Sequence, residues 1–77
     1  MIKKNINFYL NLPWTYTIET AHEQEKQFYI LHVNELPGIC TDEPTAQEAM
    51  ELIKEPMTAV FRLYLKNDEI IPEPINL

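Results

Sequence analysis

Residues 27–49, QFYILHVNELPGICTDEPTAQEA, decide the fold, because they carry a strand, a turn and a helix start in immediate succession. Gln27 to Val33 is rich in aromatic and branched residues and poor in polar ones, which is the composition of a strand. Leu36-Pro37-Gly38-Ile39 reads as a type II turn. Proline sets φ at its second position, and Gly38, the only glycine in the chain, supplies the positive φ needed at the third. A short third strand, 39–41, is expected to leave this turn. Thr45-Ala46-Gln47-Glu48 then matches a capping box, with Thr45 as N-cap and Glu48 reaching back from the first turn.

Downstream of the cap, Ala46, Ala49, Met50, Ile53, Met57, Val60, Phe61 and Tyr64 fall within an arc of about 120° on a helical wheel. The spacing predicts a helix of about five turns covering one face of a sheet. Pro56 falls inside it, where a missing N–H and a clash with the Leu52 carbonyl predict a kink or two abutting helices near 52–56. Leu52, Ala59 and Leu63 widen the apolar arc to about 200°. Either this second stripe is a self-association surface or the chain's own N-terminal segment covers it. Asn67 can take the left-handed position after the helix. Ile70-Ile71 is expected as a short final strand, stopped by Pro72 and Pro74.

Upstream, the even positions from Ile6 to Ile18 are apolar and the odd ones mostly polar, which predicts extended chain with one buried face. Pro13 marks a break or an edge, so the strand is placed at 14–20. The link from Ala21 to Lys26 contains no glycine. A tight primed turn is therefore not expected there, and a longer, more mobile loop is. The resulting class is α+β: a three-stranded antiparallel sheet, one long Pro-kinked helix on one face, and a short final strand.

The chain has 77 residues, enough for one domain, 1–77, with a small core for which self-association into a homo-oligomer is a natural supplement. Twelve acidic residues oppose six basic ones, a net charge of −6. That balance repels phosphate, so direct nucleic-acid binding is not expected, and it favours a basic protein partner. No apolar run reaches membrane-spanning length, and Asn5, Asn7 and Asn11 interrupt the segment where a signal peptide would need its apolar core. With a single cysteine, Cys40, the expected compartment is the cytoplasm.

Catalytic chemistry finds no foothold. His22 and His32 are isolated, Cys40 has no activating base nearby, and neither metal-ligand spacing nor a glycine-rich phosphate loop occurs. No enzyme, cofactor or metal site is expected. The exposed connections beside the turn and the helix start carry Glu35, Asp42 and Glu43, the residues expected to contact a partner.

Four ordered segments carry a family resemblance: Leu12-Pro13-Trp14-Thr15-Tyr16, Tyr29-Ile30-Leu31-His32-Val33-Asn34-Glu35-Leu36-Pro37-Gly38, Thr45-Ala46-Gln47-Glu48-Ala49-Met50 and Ile70-Ile71-Pro72-Glu73-Pro74. In that order over some 60 residues they resemble the HicB antitoxin family. The resemblance implies a partial ribonuclease H-like fold without nuclease activity. It also implies a partner, the HicA toxin, a small basic ribonuclease that HicB-type proteins bind and mask. Many of these also repress their own operon through a C-terminal DNA-binding region, which has no counterpart here, so repression is not expected of this chain. The chain departs from the family pattern where Ile39 separates the turn glycine from Cys40, where Glu43-Pro44 replaces Gly-Asp, and at Pro56. A stand-alone oligomeric regulatory protein of the same fold is the alternative.

Overall fold

The computed structural model of the protein describes residues 4–74. β1 (Tyr16–Glu23) pairs antiparallel with β2 (Lys26–Val33), and β2 pairs antiparallel with β3 (Cys40–Glu43), so the three strands lie side by side in chain order. A short helix, α1 (Ile6–Leu10), precedes the sheet, and α2 (Ala46–Leu52) and α3 (Lys54–Lys66) follow it. The α+β class, the antiparallel sheet and the long bent helix all stand as the sequence predicts.

The core forms where the odd positions of β2 meet the helices. Leu31 and Val33 are buried with Leu36, Ala49, Ile53, Met57 and Phe61. Burying each of these side chains other than that of Ala49 contributes about 1.5–3 kcal/mol. Trp14 stacks on Phe61 with ring centroids 5.6 Å apart, and Tyr9 meets the same ring at 5.7 Å. The Trp14 indole N–H donates to the Tyr9 carbonyl at 2.6 Å, which satisfies the one polar atom that this burial would otherwise strand.

The turn at 36–39 has the expected geometry. Gly38 has φ of 90° and the Ile39 N–H donates to the Leu36 carbonyl at 3.0 Å. At the helix start the Thr45 hydroxyl accepts from the Glu48 N–H at 3.1 Å. The helix is interrupted at Ile53, which stays in the right-handed region at φ −60° and ψ −22°. Pro56 thereby becomes the third residue of α3, and in a first turn a missing N–H is tolerated.

Several expectations are corrected. Residues 6–10 form α1 instead of extended chain: Asn5 caps it by accepting from the Phe8 N–H at 3.0 Å, and the buried residue is Tyr9, an odd position. The first strand begins at Tyr16, two residues late, because the chain turns through Pro13 with the Trp14 N–H bonded to the Leu12 carbonyl. The β1–β2 connection is a two-residue turn. Gln24 and Glu25 both take positive φ, 50° and 69°, and Glu23 pairs directly with Lys26. The third strand runs Cys40–Glu43 instead of 39–41. Asn67 is not left-handed. Asp68 is, at φ 55°, and it closes α3 with Glu69 N–H donating to the Tyr64 carbonyl at 2.9 Å. Ile70 and Ile71 make no strand; Ile70 is 93% exposed while Ile71 tucks into the core at 4%.

Candidate partner interface

The acids expected to form one contact patch are separated by the fold. Glu35 follows β2 and turns back on the start of β1. Its carboxylate accepts from the Thr15 N–H at 3.0 Å and from the Thr15 hydroxyl at 2.6 Å. Asn34 extends this cluster, accepting from the Thr17 hydroxyl at 2.7 Å and donating to the Thr15 hydroxyl at 3.1 Å. Partial desolvation, the largest single influence, pushes the Glu35 carboxyl up. Bonds donated by Thr15 and by the Glu35 backbone N–H together outweigh it and hold the carboxyl below its usual range. The same charge, after desolvation, raises the Tyr16 phenol. Glu35 is therefore committed to holding the two strands together.

Asp42 and Glu43 are adjacent in β3 and so take opposite faces of the sheet. Glu43 pairs with Tyr29 and lies on the helix-covered face, half-buried, near the Thr41 hydroxyl at 3.5 Å. Asp42 pairs with Ile30, is exposed, and lies on the other face.

That second face is built from the even positions of β2. Register sets Glu19, Ile30 and Asp42 in one row across the three strands, with Thr17, His32 and Cys40 on one side of it and Ala21 and Phe28 on the other. Phe28, Ile30 and His32 are half-buried, and none belongs to the core beneath the helices. The His32 Nε2 has no hydrogen-bond partner; Glu19 Oε2 stands 3.7 Å away, beyond hydrogen-bonding range. The result is an apolar strip with a carboxylate on each flank. Sequence reading missed Glu19, Phe28 and Ile30 as candidates. The signal was available: residues 27–33 do not alternate, so both faces of that strand are apolar.

The helix stripe is also uncovered. Leu63 is 54% exposed and Leu52 37%, with Ala59 exposed between them, so the described part of the N-terminal segment, from residue 4 on, does not cover them. α1 packs on a different side of α3, leaving a groove of about 670 Å³ lined by Lys4, Ile6, Leu10, Thr58, Arg62 and Leu65. The Lys4 ammonium is held by Glu73 at 3.0 Å, which raises its pKa.

His22, expected in a loop, lies in β1 on the face opposite His32. Cys40 is exposed. Among the described residues no three His, Cys, Asp or Glu side chains gather where they could hold a metal ion, and no helix is long and apolar enough to cross a membrane. No family model, curated protein or solved structure matches the chain. The likeness to HicB stands on the four sequence segments alone.

Proposed function

We propose that this chain is a HicB-like, antitoxin-type binding module that masks a basic HicA-like ribonuclease in the cytoplasm and performs no chemistry of its own. Reading the sheet and helices as a partial ribonuclease H-like fold belongs to the same proposal. The observation that carries it is the uneven distribution of charge. Within the sheet and its turns, Glu19, Glu23, Glu25, Glu35, Asp42 and Glu43 are opposed by Lys26 alone, whereas on α3 Lys54, Arg62 and Lys66 outnumber Glu55. Such a surface accelerates encounter with a basic protein and rejects an acidic one.

The test is to titrate this protein into a HicA-like ribonuclease encoded beside it and follow RNA cleavage. Cleavage should stop near equimolar protein at low salt, and more protein should be needed at moderate salt, because the steering charges are screened. A ribonuclease fully active in excess protein overturns the reading. In that case the stand-alone homo-oligomer takes its place, and the exposed Leu52, Ala59 and Leu63 favour that second reading. Light scattering on the free protein and on Leu63→Ser would then report a multimer that the substitution dissociates.

A further inference from the structure

We infer that the helix-free face of the sheet, centred on Ile30, is where the basic partner docks, with an apolar side chain seated on Ile30 and Phe28 and a Lys or Arg on each side of it. This rests on the masking function proposed above and names its surface. The row Glu19–Ile30–Asp42 sets two carboxylates on the strands either side of an aliphatic residue. Strands lie about 4.8 Å apart, so the two acidic positions are roughly 10 Å apart across the strip. That spacing suits cations on either side of one anchoring side chain. The core draws on Leu31 and Val33, of the opposite parity, so both helices of the 46–66 segment lie behind the sheet and leave this face open.

Charge decides the occupant. A second copy stacked on Ile30 about a two-fold axis along or across the strands would set the carboxylates of Glu19 and Asp42 against those of the other copy, and like charges directly opposed are destabilising. A phosphate backbone meets the same repulsion. A basic protein turns both carboxylates into attractive contacts.

The experiment measures inhibition of the HicA-like ribonuclease by three variants: Ile30→Asp, the double variant Glu19→Lys/Asp42→Lys, and Leu63→Ser on the helix stripe. Circular dichroism establishes that each is folded. Backbone amide shifts of the unmodified, isotope-labelled protein are mapped on adding the ribonuclease. Inhibition should weaken by about thirtyfold or more for the two sheet variants, as for loss of a central anchor, and stay unchanged for Leu63→Ser. The largest shifts should fall on Glu19, Ile30 and Asp42. Should Ile30→Asp fail to fold, the double variant and the shift map decide. Folded sheet variants that inhibit as well as the unmodified protein overturn the docking surface and leave the masking function standing. An unmodified protein that does not inhibit overturns both. Shifts on this face that appear on concentrating the protein alone identify a second copy as the occupant and also overturn the inference.

Discussion

Gln24 and Glu25 hold φ of 50° and 69° at the end of eight consecutive β1–β2 pairs. Residues with a Cβ resist that region by about 1–2 kcal/mol each, and the right-handed twist of the two strands imposes it nonetheless. The pair Gln24→Asn and Glu25→Gly restores the residues this turn prefers, so each should raise stability by about 1 kcal/mol in urea unfolding. An unchanged midpoint would mean that the turn carries no such strain. Glu35 makes the opposite kind of contribution. Its folded carboxyl is held below the usual range, so its stabilisation is present above the unfolded pKa and is lost as pH falls through the folded one. Glu35→Gln should lower stability by about 1 kcal/mol at pH 7, with the difference from the unmodified protein vanishing in acid. Melts at a series of pH values check this; a gap that persists in acid would assign the effect to packing. Sequence reading could see Glu35 as an acid near a turn. It could not see that Thr15, twenty positions away, donates twice to it.

Among the elements, β2, the Gly38 turn and the Thr45 cap were legible because each is specified by adjacent residues of restricted chemistry. α1 was not. The alternation from Ile6 to Leu12 also contains the helical spacing Ile6, Tyr9, Leu10, and the Asn5 cap and the stack of Tyr9 and Trp14 on Phe61 select the helix. The even residues of β1 do lie on the helix side, since a two-residue shift preserves the face, but that face is not buried as expected: Tyr16 is half-buried and Ile18 is 46% exposed. A difference of one position separates Asp42 from Glu43, and it divides the expected patch between two faces. The helix pair bends just ahead of Pro56, whose place in the first turn of α3 removes most of its cost. Pro56→Ala should therefore change stability by less than about 1 kcal/mol. Denaturant unfolding measures it, and a loss of several kcal/mol would show that the packing of Ile53 and Met57 depends on the proline.

At the scale of the molecule, the net charge of −6 favours a basic partner, and the open sheet face is the surface proposed for it. The acid excess was readable by counting; the placing of Glu19 and Asp42 on either side of Ile30 required the register. One further feature of the architecture governs how the molecule reaches this state. The strands pair in chain order and α2 packs on β2 and β3, so most tertiary contacts join segments near in sequence. α1 and Trp14 must find α3 from near the other end of the chain, close to where Lys4 reaches Glu73. Closing short loops is fast, and chains dominated by such contacts cross their barrier quickly. The hairpin and the third strand can thus assemble with α2 before the N-terminal helix docks, so the face centred on Ile30 exists early, while the seal around Phe61 is set last.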